Sequence, residues 1–271
     1  VTNVLAAAEW GGEFEGVLDP INSLFDFPPF LFENLELFGE PMGINRTIVI
    51  SWIMLAAVGL AFYLGTRDAK IVPGRFQGFL EMIVDLNRGI AVEIIGPKGV
   101  RFVPLLTTFF VGIFALNLAK LFPLFMMPPT SRIAWPLFLA FLSWLVYVGV
   151  GIKEQGLGHY FGGVLFPPGV PKALYIILTP IELLSNFVLR PFTLAIRLFA
   201  NMVAGHILVV ITLSTIHVFL PSMPVGWMVG GFALLVSPIV FAFEFFIIAL
   251  QAYIFTMLTA VYIGSSMEAH H

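Results

Sequence analysis

Two apolar stretches, 172–216 and 226–264, limit most strongly how this chain can fold, since only a short turn around Pro221 and Pro224 separates them. A helix of about forty residues, at about 1.5 Å per residue, extends roughly 60 Å, twice the roughly 30 Å of bilayer hydrocarbon. Such helices fit a membrane only by tilting, and Pro180, Pro191 and Pro238 supply places to bend or break them. The rest of the chain agrees with a lipid setting. Of 271 residues, 59% are hydrophobic and 11% charged, with a mean hydropathy of +0.99, whereas soluble domains carry about 25% charged residues. The net charge of −3 implies no nucleic-acid partner, and without cysteine there are neither disulfides nor thiolate metal sites.

Ahead of the long stretches, 47–64 is a first uncharged span with Trp52 and Tyr63 toward its two ends, where interfacial aromatics sit. Residues 102–127 and 133–151 form a second and third span joined by the turn Pro128-Pro129-Thr130-Ser131-Arg132. Between the first two, Phe76, Phe79, Leu80, Ile83, Leu86, Ile90 and Ile94 recur at helical spacing opposite Glu81, Asp85 and Arg88. This predicts an amphipathic helix over 75–95 lying on the membrane surface. Residues 152–172, rich in glycine and proline, read as a loop. The expected fold is therefore an all-α membrane protein of five membrane helices and one amphipathic surface helix, the last two long, tilted and paired as an antiparallel hairpin.

Charge fixes the expected orientation. Glu9, Glu13, Glu15, Asp19, Asp26, Glu33, Glu36 and Glu40 precede any basic residue, whereas Arg67, Lys70, Arg75, Arg88, Lys98 and Arg101 crowd the stretch after the first span. Positive charge marks the cytoplasmic side, so the amino terminus is expected outside. Residues 1–46 form an acidic outer arm, read either as short amphipathic pieces on the surface or as a flexible lead-in, and 47–271 form the membrane domain. The first ten residues lack the basic n-region and long apolar run of a cleaved signal, so they are read as part of the mature chain.

Ionisable residues inside the spans are functional candidates, because a charge at mid-helix costs about 2.5–3.5 kcal/mol on insertion scales. Lys120, near the outer end of its span, is expected to snorkel to the headgroups. Arg190 is read as an inner anchor, with the alternative that it acts as an electrostatic neighbour of Arg197, seven residues on. Arg197 is flanked by apolar helix on both sides and carries a permanent charge, so it reads as the functional centre. Thr193, Arg197 and Asn201 share one face at i, i+4 spacing, and Ala200, Ala204 and Gly205 permit close helix approach. Glu244 and Gln251 share a face of the second long helix. In an antiparallel hairpin, one register brings Arg197 level with Gln251 and His206 level with Glu244. A histidine beside a carboxylate accepts and releases protons near neutral pH, making this pair a candidate outer entrance; a structural hydrogen-bonded pair is the alternative. Glu182 is either an inner exit residue or an acid favoured at a helix start just after Pro180.

These residues resemble subunit a of the F-type ATP synthase, the stator half of its proton channel. The likeness rests on Thr179-Pro180-Ile181-Glu182, Arg190-Pro191, Ile196-Arg197-Leu198-Phe199-Ala200-Asn201, Ala204-Gly205-His206 and Leu250-Gln251-Ala252-Tyr253-Ile254-Phe255. Asn117 and Pro123 extend it into the second span, and the acidic arm lies outside it. The resemblance implies a non-catalytic subunit without cofactor or metal, in the cell inner (plasma) membrane with its carboxyl terminus cytoplasmic. Its partners would be a ring of c subunits, the peripheral-stalk b subunits, the rest of the complex and membrane lipid. Arg197 then matches the essential arginine, Asn201 and Gln251 its polar neighbours, and Glu182 an exit-side residue. In many relatives the acid stands where His206 is and the histidine where Glu244 is, so the pair is kept with its members exchanged. Lys120 occupies a place that is acidic in some relatives. A secondary transporter is the rival reading, but the first half shows neither inverted repeats nor broken helices. No phosphate-binding loop or zinc-protease motif is found in the sequence.

Overall fold

The computed structural model describes residues 29–31, 36–37, 40–41, 44–121, 129–165, 174–220 and 226–267. The turns at Pro221 and Pro224 and most of the acidic arm lie outside these residues. Within the arm, β1 (Pro29–Leu31) pairs antiparallel with β4 (Ile44–Asn45), and β2 (Glu36–Leu37) with β3 (Glu40–Pro41). From Arg46 onward every described element is helical: α1 (Arg46–Arg67), α2 (Arg75–Ile95), α3 (Val103–Leu118), α4 (Ala134–Gln155), α5 (Leu157–Leu165), α6 (Tyr175–Leu184), α7 (Arg190–Phe219) and α8 (Gly226–Met267). Five segments among the described residues are long and apolar enough to cross a membrane: Thr47–Arg67, Pro97–Leu121, Ala134–Gln155, Tyr175–Phe219 and Gly226–Met267. The chain is a multi-pass, all-α membrane protein.

Proline shapes the long helices without ending them. Pro238 lies inside the 42-residue α8, where it cannot donate to the Leu234 carbonyl one turn back. The Ser237 hydroxyl donates to that carbonyl instead, at 2.9 Å, so no backbone acceptor is left bare in lipid. Pro191 acts differently. Just before it, Ser185–Leu189 widen into one π-helical turn that links α6 to α7, giving the unbroken 45-residue segment Tyr175–Phe219.

The chain divides into two compact units. One gathers Val1–Ile53, Leu118–Pro129 and Asn201–Ile248; the other gathers Met54–Asn117, Thr130–Ala200 and Ala249–His271. In the first, residues 201–219 of α7 and 226–248 of α8 run antiparallel. A side chain at Gly205 would meet Glu244, and one at Gly230 would meet the Leu220 backbone, two contacts in one register. In the second, Leu194, Ala195 and Leu198 of α7 pack on Ala252 and Phe255 of α8, with Phe109 and Ile113 of α3 and Ala140 of α4. Ile90 and Ala91 of α2 pack on Val103, Leu106 and Ala260. Buried Ser143 and Thr259 share a hydroxyl hydrogen bond of 3.0 Å.

Two departures from the sequence reading follow from packing. Residues 152–172 contain a helix, α5, where a loop was expected. Gly156, at φ +81°, ends α4, and α5 then folds back to bury Tyr160 with Tyr147, Val148 and Ile263. Gly151 leaves room for the Tyr160 ring, which a Cβ there would strike. Arg190 is half-buried and stacks over the Tyr262 ring at 5.2 Å, a contact that its place in the sequence did not point to.

Candidate functional site

The first unit carries a buried ionisable cluster. After α3 the chain tightens into a 3₁₀ turn, Ala119–Leu121, that turns Lys120 inward. Lys120 is 3% exposed and forms an ion pair with Glu244 of α8, itself 2% exposed. Snorkelling is thereby overturned: a carboxylate buried alone would cost several kcal/mol, and the ammonium offsets that cost only by staying at its side. His206 of α7 is 6% exposed and within electrostatic reach of Lys120. Its Nε2 has no hydrogen-bond partner among the described residues. The expected pairing therefore changes, since the acid that lies level with His206 is bound to the lysine. Gly205 makes the arrangement possible, because a Cβ at that position would fall on both the Glu244 carboxylate and the Lys120 Nζ.

Arg197 belongs to the second unit and stands in the opposite condition. Its α7 neighbours Leu194, Ala195 and Leu198 are buried, which turns Thr193, Arg197 and Ala200 to the exposed face, with Asn201 half-buried beside them. Among the described residues no ion pair includes Arg197. Gln251 is 2% exposed and directly precedes Ala252 in the cluster that holds Leu198. A permanent cation is thus presented outward from the middle of a 45-residue apolar segment. Exposed Ala200 and, one turn on, Ala204 flank it, leaving that face shallow.

Glu182 lies one turn before the π-helical turn and is half-buried. The amide of Asn186 donates to its carboxylate at 2.9 Å and to its backbone carbonyl at 3.0 Å. The Asn186 carbonyl in turn accepts the hydroxyl of buried Tyr147, at 2.6 Å. This chain of contacts ties the acid to α4. Asn186 was legible as a partner from its i+4 spacing to Glu182, whereas nothing in the local sequence points to Tyr147. Among the described residues no group of three His, Cys, Asp or Glu side chains gathers as a metal site would require.

The arrangement gathers a buried acid, an imidazole and an amine at one site and leaves a fixed positive charge on an exposed helix face at another. The family model described as ATP synthase A chain matches residues 48–264. The ATP synthase subunit a of Frankia alni is 39% identical over 255 residues, covering 93% of this chain and 87% of the relative. That of a Parafrankia species is 41% identical over 271 residues, covering 99% and 88%, and that of Rhodococcus erythropolis is 39% identical over 246 residues, covering 90% and 88%. With most of its length matched, from the first span to the end of the second long helix, this chain belongs to the ATP synthase A chain family.

Proposed function

We propose that this chain is the proton-translocating stator subunit of an F-type ATP synthase, forming two offset half-channels against a rotating ring of c subunits. The observation that carries the reading is the outward-facing Arg197, a charge inside an apolar segment with no ion-pair partner among the described residues. Such a charge is tolerable in lipid only against a partner of opposite sign, and a ring bearing one carboxylate per subunit offers that partner repeatedly. Arg197 draws each passing carboxylate into its charged form and blocks direct leakage between the half-channels. Asn201 and Gln251 are its polar neighbours. Protons arrive from outside past His206 and Glu244, neutralise a ring carboxylate, and leave past Glu182. Each proton falling through about 100 mV delivers about 2.3 kcal/mol, so several pass for each ATP made.

The subunit lies in the cell inner membrane with its amino terminus outside and its carboxyl terminus cytoplasmic, held by the peripheral-stalk b subunits. The basic stretch around α2 supports that orientation. Mild-detergent purification through a tag on this chain tests the assignment. A complex containing a c ring is expected, whereas a stable solitary monomer would point to a secondary transporter. Glu244→Gln tests the outer half-channel in inverted vesicles. ATP-driven proton pumping is expected to fall, and undiminished pumping at every pH would remove Glu244 from the path.

A further inference from the structure

We propose that Lys120 is a positioning residue of the outer proton entrance, its ammonium holding Glu244 as the carboxylate that takes up and releases each proton. The inference rests on the proton-path reading above and adds a residue to it. Three elements converge here: Lys120 from the turn after α3, His206 from α7 and Glu244 from α8. They are the buried ionisable side chains among the described residues of their unit. The Lys120 and Glu244 charges offset one another in the ion pair, and the Nε2 of His206 has no hydrogen-bond partner among the described residues.

The charge balance gives the pair a direction of action. When a proton binds a Glu244 oxygen, an O–H bond forms and the carboxylate charge disappears, leaving the buried Lys120 ammonium without its counter-charge. That isolated charge is costly. It is relieved when the O–H bond breaks and the proton passes to the next acceptor, a ring carboxylate during synthesis or outer water during pumping, restoring the ion pair. Lys120 therefore makes proton occupancy of Glu244 transient. The small face of Gly205 is what lets the two groups meet.

The test uses inverted membrane vesicles carrying the whole complex, with Lys120→Gln as the variant. Glutamine still donates a hydrogen bond but brings no charge, and Glu244 can neutralise itself by keeping a proton, so the complex assembles. The pH profile of ATP-driven pumping, normalised to assembled complex, is expected to move toward alkaline pH by about one unit or more, with at least about a tenfold loss at the wild-type optimum. A profile that overlays the wild type would overturn the proposal. Should Lys120→Gln reach the membrane too poorly to measure, Lys120→Met, which keeps the length of the side chain without its charge, decides by the same profile: an alkaline shift with normal assembly supports the proposal, and a profile that overlays the wild type overturns it. Arg197→Ala runs alongside. If that variant pumps, the stator reading itself fails, whereas an unshifted Lys120→Gln profile beside a silent Arg197→Ala removes only the role of Lys120.

Discussion

Replacing Gly205 with alanine probes the outer cluster without touching any of its ionisable groups. The added Cβ would sit 2.6 Å from Lys120 Nζ and against both carboxylate oxygens of Glu244, where ordinary contact begins at 3.4 Å. One partner must therefore withdraw by about 1 Å. Stretching an ion pair from about 2.8 to about 3.8 Å at an effective dielectric of about 20 costs about 1.6 kcal/mol, and overpacking of this kind typically adds about 1–3 kcal/mol. A total of about 2.6–4.6 kcal/mol exceeds the roughly 1.4 kcal/mol that separates rates tenfold. ATP-driven pumping by Gly205→Ala, per assembled complex, is accordingly expected to fall at least about tenfold. Glu244→Asp, one methylene shorter, should restore part of it in the double variant by drawing the carboxylate back from the new methyl. Wild-type pumping by Gly205→Ala, or no recovery with the shorter acid, would refute the geometry assigned to this cluster.

Tyr147→Phe keeps the ring and strands the buried Asn186 carbonyl, at a cost of about 1–3 kcal/mol; heating membranes and following loss of assembled complex should show earlier inactivation than wild type. Ser143→Ala or Thr259→Val alone should lower thermal resistance by about 1–2 kcal/mol, while the double variant, with both hydroxyls gone, should return close to wild type in the same assay. Glu182→Gln keeps the acceptor for the Asn186 amide but cannot carry a proton, so pumping should drop with assembly intact; equal loss of both would make Glu182 a structural residue.

What the sequence made legible was what periodicity and hydropathy carry. The apolar runs mark the five spans, and the phase of Phe79, Ile83 and Ile90 marks α2. The shared register of the two long helices follows from the depths of their polar residues, because both lie in one hairpin. Four features lay beyond that reach. The partner of Lys120 is 124 residues away, and hairpin arithmetic relates two helices but does not say which third element inserts between their polar groups. Helix α5 hides among glycines, since what stabilises it is the burial of Tyr160 against distant residues rather than any local propensity. The π-helical turn at Ser185–Leu189 keeps α6 and α7 continuous where Pro191 alone suggests a break. The acidic arm gave no strand signal because its paired segments are only two or three residues long.

The role of Arg197 is the central claim, and one paired measurement tests it most directly: ATP-driven proton pumping in inverted vesicles carrying Arg197→Ala, with passive proton leak measured in the same membranes after the catalytic head is stripped. The account predicts normal assembly, no pumping and a raised leak, because the charge that separates the half-channels is gone. Pumping preserved at wild-type level would contradict it and make the exposed guanidinium a structural feature.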